Sequence, residues 1–267
     1  MKKIGIIGCG NMGSVLAEGI ISAGLFAPAR VYISDIRKEK LARLKKLGAR
    51  PAGNRELARD ADVIIIAVKP DRVRETLDEI KNLLVPSKIL ISIAAGISTA
   101  DIEKHLHGKK IPVIRVMPNV NVKVKAGLLP YCAGKYAGSR GKVAERLLSP
   151  LGIVFRLPEN RFDSITAISG SGPGFLFYVA ENVRKICRMK GFSEKEALLI
   201  SAHLFYGTGK MLARTGLSPE KLREMVTSPG GTTFAGLSVF EQKGFPGILK
   251  KVIDKAEKRS RELSSGK

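Results

Sequence analysis

In the first part of the chain, short runs of apolar, often β-branched residues alternate with stretches whose apolar residues recur at helical spacing. Such runs predict strands over residues 3–7, 31–34, 63–68, 89–93, 113–116, 128–132 and 153–157. Because the runs are apolar almost throughout, they are typical of parallel strands covered on both faces. Helical stripes between them end near Gly24 and Gly48. The pattern predicts an α/β fold with a doubly wound parallel sheet.

After Pro158 the strand pattern disappears and the remaining residues show helical spacing only. Ser193 followed by Glu196 is a capping-box pattern, and Ser218 followed by a proline is a second helix start. Aromatic residues recur at helical spacing here, and without a sheet to cover, we expect part of them to pack against a second subunit. The sequence predicts an α/β domain over residues 1–158 and an all-α C-terminal dimerisation domain over residues 159–267.

The chain is strongly basic, with 46 lysines and arginines against 24 acidic residues among 267, a net charge of +22. Such an excess raises the possibility of a nucleic-acid partner. However, both predicted domains are positive, no aromatic residues alternate with the basic ones, and the chain has no tryptophan. We therefore expect a generally basic surface and no nucleic-acid partner.

Neither a membrane span nor a secretion signal is predicted, because no apolar stretch reaches about 18 residues and the N-terminal apolar run is short and broken by glycines. A cytoplasmic location and no membrane partner are expected. The three cysteines are isolated from one another. Their spacing supports neither a disulfide framework nor a metal site.

A glycine-rich turn follows the first predicted strand and opens a helix. It has the G-x-G-x-x-G spacing, in the order Gly8, Cys9, Gly10, Asn11, Met12, Gly13. In this context the first glycine permits the tight turn, the second lets the backbone approach a pyrophosphate, and the third allows close packing of helix on strand. The helix N-terminus adds partial positive charge. The motif predicts a Rossmann-type dinucleotide site.

The end of the second predicted strand, Ser34 and Asp35, bears on the choice of dinucleotide. A carboxylate here would accept hydrogen bonds from the ribose 2′-hydroxyl of NADH and repel the 2′-phosphate of NADPH. Two residues later, Arg37 and Lys38 could pair with that phosphate. The sequence therefore predicts NADPH or NADH and leaves the choice open.

Two further segments follow predicted strands and reach the carboxyl edge of the sheet, where ligands of open α/β sheets bind. Their small side chains suit a cofactor that lies flat. The segments comprise Ala67, Val68, Lys69 and Pro70, and Ala94, Ala95 and Gly96.

In the helical part, residues 226–233 form a loop rich in hydroxyls and glycines that runs into a helix N-terminus. Hydroxyls and free backbone N–H groups at a helix N-terminus make a ready site for a carboxylate. We expect a small anionic molecule to bind there.

Six motifs, in this order and over nearly the whole chain, resemble those of the pyrroline-5-carboxylate reductase family. They span residues 8–13, 67–70, 92–96, 115–119, 169–173 and 228–233, the last being the most discriminating. The resemblance implies reduction of 1-pyrroline-5-carboxylate to L-proline with NADPH or NADH, the last step of proline biosynthesis. It also implies a homo-oligomer built from dimers through the C-terminal helices.

The resemblance also implies roles for individual residues. Ser228 and the N–H groups of Gly231 and Thr232 would hold the substrate carboxylate, and Thr233 would hydrogen-bond the ring nitrogen. In the cofactor site, Asn54 would lie near the adenosine ribose. Ala67, Lys69 and Pro70 would line the nicotinamide side.

The sequence departs from the family pattern at Gly174-Phe175, where Ala-Tyr is common, and at Asn121, where the family frequently has Thr-Pro around this position. Neither departure touches the hydroxyl-rich loop. Two alternatives stay open at this point. One is a related imine or 3-hydroxyacid reductase of the same two-domain plan, and the other a non-catalytic basic protein that binds nucleotide or nucleic acid.

Overall fold

The computed structural model describes residues 1–264. The chain forms two compact units, one of Met1–Ser171 together with the end of the chain from Ala256, and one of Gly172–Lys255. The first unit holds the sheet and the second consists of helices. The domain boundary expected at residues 158 and 159 stays a prediction. Among residues 1–264, no helix is long and apolar enough to cross a membrane.

Within residues 1–264, eight strands form one sheet in the order β3-β2-β1-β4-β5-β6-β7-β8. The strands are β1 Ile4–Ile7, β2 Val31–Ser34, β3 Arg50–Pro51, β4 Val63–Ile66, β5 Ile89–Ser92, β6 Val113–Val116, β7 Gly127–Ala133 and β8 Gly152–Arg156. All neighbouring pairs are parallel except β6 and β7. The order moves outward from β1 in both directions, which confirms the doubly wound sheet predicted from the apolar runs.

In the part of the chain that the structure describes, twelve α-helices connect and follow the strands. They are α1 Asn11–Ser22, α2 Ala42–Lys46, α3 Asn54–Asp60, α4 Val73–Ile80, α5 Thr99–His105, α6 Lys142–Leu148, α7 Phe162–Ile165, α8 Gly172–Met189, α9 Glu194–Arg214, α10 Pro219–Met225, α11 Thr232–Gln242 and α12 Phe245–Ser264. A π-helical turn, Thr166–Gly170, lies between α7 and α8. The capping box at Ser193 and the N-cap at Ser218 are both present, as the sequence predicts.

The core of the first unit lies on both faces of the sheet, because successive strand residues point to opposite sides. Ile6 packs into one cluster with Leu16 of α1, and Ile7 packs into the other with Leu57 of α3. All four residues of β1 are buried. Burial on both faces explains why these strands have no polar alternation in the sequence.

The second unit contains the hairpin of α8 and α9. The buried hydroxyl of Ser201 on α9 donates a hydrogen bond of 2.8 Å to the carbonyl of Ala180 on α8. Large apolar side chains nevertheless remain exposed on these helices: Phe177 is 63% exposed, Tyr178 66% and Tyr206 62%. An apolar surface of this kind is unusual for a monomer in water.

One strand was not predicted. The edge strand β3 has only two residues, Arg50 and a proline, and both are exposed. Two residues show no periodicity, and proline is a poor strand former away from sheet edges. The predicted strand over residues 63–68 is also shorter in the structure and ends at Ile66, because the chain leaves the sheet at Ala67.

Candidate functional site

The glycine turn between β1 and α1 can be built only with glycine at two of its positions. Gly8 has a φ of +94°, and a Cβ placed on it would lie 2.8 Å from the carbonyl carbon of Ala67. A Cβ on Gly13 would lie 1.9 Å from the carbonyl oxygen of Gly8. Both glycines therefore allow α1 to approach the sheet closely, as the motif predicts.

Gly10 differs from its two neighbours because its outer side is open. A Cβ on Gly10 would meet only the ammonium of Lys40, at 3.7 Å. Gly10 is also the N-cap of α1, and no side chain caps this helix. Asn11 and Met12 form the first turn of α1, so their amides point out of the helix without intrahelical acceptors. The bare backbone and the free amides fit a dinucleotide pyrophosphate.

Cys9, inside this turn, is a neutral thiol. Burial, and to a lesser degree the nearby charge of Asp35, raise its pKa to about 12. A thiol with so high a pKa supplies no thiolate at neutral pH, which assigns Cys9 a packing role in the turn.

The end of β2 is tied to the glycine turn. The carbonyl of buried Ser34 accepts a 2.8 Å hydrogen bond from the Gly8 amide. The Asp35 carboxylate accepts one bond of 2.9 Å from the Cys9 amide and another of 2.9 Å from the Arg37 amide. Asp35 thus holds the turn in place in addition to any contact with ribose. The Arg37 side chain is exposed.

The segment after β4 lies against the glycine turn. The Ala67 amide donates a hydrogen bond of 2.8 Å to the Ile7 carbonyl, and the Ala67 carbonyl faces Gly8. Val68 is half-buried, whereas Lys69 and Pro70 are exposed where a short 3₁₀ turn begins. The structure therefore brings three predicted segments, the glycine turn, the end of β2 and the end of β4, to one edge of the sheet.

The segment after β5 joins the same edge. Ser92 is opposite Ile66 in the sheet, and the Ile93 amide donates a hydrogen bond of 3.0 Å to the Ile66 carbonyl. The next residues, Ala94 to Gly96, form a compact turn in which Ala94 is 4% exposed. Gly96 has a φ of +75°, a conformation that favours glycine.

Asn54 opens α3 and is half-buried, but its side-chain amide is engaged within the protein. Its Nδ2 donates a 2.6 Å hydrogen bond to the Glu79 carboxylate. The role of Asn54 near the adenosine ribose stays a prediction, and a cofactor would have to share or replace this bond.

Lys40 is a candidate cofactor residue that the sequence did not single out. It is half-buried, and its ammonium is the nearest group to the open side of Gly10. The salt bridges found among residues 1–264 do not include Lys40. A half-buried cation beside an open glycine backbone suits a phosphate. Nothing in its sequence neighbourhood distinguishes it from the other basic residues.

The hydroxyl-rich loop of the second unit ends in the first turn of α11. Gly230 has a φ of +69°, and the Gly231 amide donates a hydrogen bond of 3.0 Å to the Ser228 carbonyl. The Ser228 hydroxyl lies directly over Gly231, since a Cβ there would be 2.4 Å from it. The tight turn thus places the Ser228 side chain at the N-terminus of the helix.

The amides of this turn are not equally available. That of Gly231 already bonds to Ser228, so its predicted contact with a carboxylate stays a prediction and would require the turn to open. Thr232 and Thr233 are the first two residues of α11, which no side chain caps. Their amides have no intrahelical acceptor. Ser228 is exposed and Thr233 is half-buried, and residues 226–233 include no ionisable side chain.

Comparison with known proteins gives matches in both parts of the chain. Residues 159–263 match the family described as pyrroline-5-carboxylate reductase dimerisation, and residues 3–96 match the family described as NADP oxidoreductase, coenzyme F420-dependent. The pyrroline-5-carboxylate reductase of Methanosarcina acetivorans is 37% identical over 98% of both chains. Pyrroline-5-carboxylate reductase 1 of Bacillus spizizenii is 35% identical over 98% of this chain and 90% of its own.

Solved structures give the same picture. A pyrroline-5-carboxylate reductase from Coxiella burnetii superposes with a TM-score of 0.92 at 32% identity, covering 98% of both chains. The pyrroline carboxylate reductase of Plasmodium falciparum, solved with NADP bound, superposes with a TM-score of 0.86 at 28% identity, also over 98% of both chains.

Proposed function

The chain belongs to the pyrroline-5-carboxylate reductase family, and from this premise we propose how its residues carry out the reaction. The protein is an NAD(P)H-dependent oxidoreductase that transfers a hydride to the C=N bond of 1-pyrroline-5-carboxylate and forms L-proline, the last step of proline biosynthesis. The likeness spans nearly the whole chain and so includes both the glycine turn and the hydroxyl-rich loop. That coverage is the observation on which the assignment rests.

The substrate loop binds the anionic end of the substrate without a charged side chain. The Ser228 hydroxyl and the Thr232 amide hold the carboxylate, and the N-terminus of α11 adds partial positive charge. Gly231 maintains the turn, and its amide joins the carboxylate contact when the bond to Ser228 opens. Because uncharged donors fix the carboxylate, its binding does not depend on the titration of any residue in the loop.

The Thr233 hydroxyl hydrogen-bonds the ring nitrogen and orients the C=N bond. When bound, NADPH or NADH would supply the hydride to the imine carbon, and the nitrogen would take up a proton from solvent, so that the C=N double bond becomes a C–N single bond. Positioning of this kind accounts for a large part of the rate in reactions of two bound partners. The glycine turn, Asp35 and the segments after β4 and β5 hold the cofactor.

An absorbance assay at the reduced-nicotinamide band tests the proposed function. Purified protein is mixed with 1-pyrroline-5-carboxylate and either NADPH or NADH, and product is identified as L-proline. We expect consumption of reduced cofactor that requires both the protein and the imine. If neither cofactor is oxidised with this substrate, but another cyclic imine or a 3-hydroxyacid supports turnover, the substrate assignment is wrong.

Lys40 contributes to the choice of cofactor. We assign its ammonium to the 2′-phosphate of NADPH, because it follows β2, where that phosphate binds in this fold, and because backbone amides already engage both Asp35 oxygens. Replacing Lys40 with glutamine is expected to lower kcat/KM about tenfold with NADPH, the size of a charge-assisted hydrogen bond, and to leave the value with NADH unchanged.

The control for Lys40 is Lys45→Gln, which removes the same charge from an exposed position of α2. It should behave as the unaltered enzyme with both cofactors. Equal losses with NADPH and NADH in Lys40→Gln would place the ammonium on the shared pyrophosphate and contradict the assignment.

The protein assembles with copies of itself, as the match to the dimerisation family indicates. We propose that the basic unit is a dimer formed through the helices of the second unit, where Phe177, Tyr178 and Tyr206 are exposed in the single chain. Burying such side chains between subunits removes a large apolar surface from water. Analytical ultracentrifugation should find no monomer at micromolar concentration. The cytoplasmic location expected from the sequence stays a prediction.

A further inference from the structure

A polar cluster, formed by Glu159, Arg115 and Thr99, connects three distant parts of the first unit. Glu159 accepts a 2.8 Å hydrogen bond from the Thr99 amide and a 2.5 Å bond from the Thr99 hydroxyl. Arg115 Nη1 lies 3.2 Å from the same carboxylate. We refer to these three residues as the Glu159 cluster. Thr99 and Arg115, which precede Glu159 by 60 and 44 positions in the sequence, thus meet at its carboxylate.

Two members of the cluster are buried, whereas the Glu159 side chain is 29% exposed. Arg115 is 5% exposed and Thr99 4% exposed. The Arg115 guanidinium also lies over the Phe162 ring, 4.6 Å from its centre. A buried guanidinium is costly unless a carboxylate and further hydrogen bonds satisfy it. The Arg115 guanidinium and the Glu159 carboxylate therefore hold each other in one geometry. The cluster is rigid enough to fix the backbone that is bonded to it.

Helix α5 does not require Glu159 in order to begin. A local capping box already exists there: Ser98 accepts a bond from the Asp101 amide and Asp101 accepts one from the Ser98 amide. This arrangement satisfies the amides of Ser98 and Asp101 locally, as is usual at the start of a helix. The additional bonds from Thr99 to Glu159 therefore fix where the helix start lies relative to the sheet, rather than whether the helix forms.

Arg115 holds both ends of one loop. At the beginning of the loop, Arg115 on β6 is directly opposite Ser92, the last residue of β5. At its end, Arg115 holds Thr99 through Glu159. The enclosed residues 93–98 contain the turn from Ala94 to Gly96. This turn follows β5, which lies on the opposite side of β1 from β2, and therefore on the nicotinamide side of a dinucleotide whose adenosine ribose faces the end of β2. The loop is closed into a ring by the cluster.

We propose that Glu159 is a positioning residue of the reductase. By holding Thr99, it fixes the Ala94–Gly96 turn and so the place of the nicotinamide ring, without touching cofactor or substrate itself. This inference rests on the proposed function for the identity of the cofactor edge. A loosened turn misplaces the ring and slows hydride transfer, because small displacements of reacting groups carry large rate costs. The pyrophosphate, held by the glycine turn, and the adenosine ribose at the end of β2 should be unaffected.

The test uses Thr99→Val in the full chain, since valine keeps the shape of the side chain and removes the hydroxyl bond to Glu159, whereas the bond from the amide of residue 99 stays. NADPH affinity, titrated through the fluorescence of the cofactor itself, is expected to change less than about threefold. The fluorescence lifetime of bound NADPH is expected to shorten, and kcat to fall about tenfold with the KM for the imine unchanged. Thr99→Ser restores the hydroxyl and should restore both the fluorescence lifetime of bound NADPH and kcat.

A matched control is Thr76→Val, which deletes the hydroxyl of another buried threonine of the same unit. That hydroxyl donates a hydrogen bond of 2.8 Å to the Arg72 carbonyl. It should lower the melting temperature without changing the lifetime or kcat. Glu159→Gln is the second variant and should shift both quantities further in the direction of Thr99→Val.

Outcomes for the cluster and for the proposed function are distinguishable. If Thr99→Val and Glu159→Gln lower only the melting temperature, and the lifetime of bound NADPH and kcat stay as in the unaltered protein, the cluster is structural and the inference is wrong. If the unaltered protein fails to reduce 1-pyrroline-5-carboxylate, the proposed function fails. A shortened NADPH lifetime in Thr99→Val would then still support the positioning role.

Discussion

A Thr233→Val variant is expected to lose about 100-fold in kcat, the size of one hydrogen bond to a group that carries charge in the reaction. Valine keeps the branched side chain at the second position of α11 but has no hydroxyl to bond the ring nitrogen. Without that bond the C=N group is neither oriented nor polarised. The measurement is the steady-state rate of NADPH oxidation at saturating 1-pyrroline-5-carboxylate.

Two variants separate the loss of the hydroxyl from a general disturbance of the loop. Thr233→Ser keeps the hydroxyl and should retain activity within about fivefold of the unaltered enzyme. Thr227→Val removes a hydroxyl that donates a hydrogen bond of 2.7 Å to the Arg223 carbonyl and has no assigned contact with the substrate. In this variant kcat should not change. Full activity in Thr233→Val would remove this residue from the reaction.

The cofactor edge could be predicted because its requirements are local. A positive φ at Gly8 and the close approach of Gly13 to the Gly8 carbonyl demand glycine at fixed spacing, and that spacing is visible in the sequence. The strand ends that form the rest of the edge follow from the apolar runs. Sequence reasoning thus identified which segments meet, and the fold confirms that the turn, β2 and β4 come together.

The interactions across that edge could not be predicted, because they depend on packing between distant segments. Asp35 was expected to select the ribose, yet its carboxylate also holds the amide of Cys9, 26 residues earlier. Lys40 is one of many basic residues until the fold places it beside Gly10. Glu159 is 60 residues from Thr99, and no periodicity connects them. Local patterns specify elements, whereas these contacts arise only from topology.

The high net charge has a limited role in this scheme. The residues assigned to the substrate are uncharged, the pyrophosphate is assigned to backbone amides of the glycine turn, and Lys40 is the one cation assigned to a phosphate, the 2′-phosphate of NADPH. We expect the remaining basic residues to create a positive field that attracts an anionic dinucleotide and an anionic imine from solution, which would affect association more than chemistry. In this proposal, selectivity for the substrate resides in the hydroxyl-rich loop.

A Gly13→Ala variant is expected to lose at least about 100-fold in NADPH affinity and about 2 kcal/mol in the free energy of unfolding, a cost typical of overpacking. The new methyl group would lie 1.9 Å from the Gly8 carbonyl oxygen and 3.0 Å from the Ala67 side chain. Both neighbours are fixed to the sheet, so α1 must move away and carry the phosphate-binding amides with it. Fluorescence titration with NADPH and denaturant unfolding measure the two effects.

Gly10→Ala separates binding from folding in the same turn. Its methyl group meets no protein atom closer than the mobile Lys40 ammonium at 3.7 Å, so the unfolding free energy should stay as in the unaltered protein. The group nevertheless occupies the open side where the backbone would face the pyrophosphate, and NADPH affinity should fall about tenfold or more. If Gly10→Ala binds NADPH as the unaltered protein does, the pyrophosphate does not pass over this turn, and the loss in Gly13→Ala reflects the displaced helix alone.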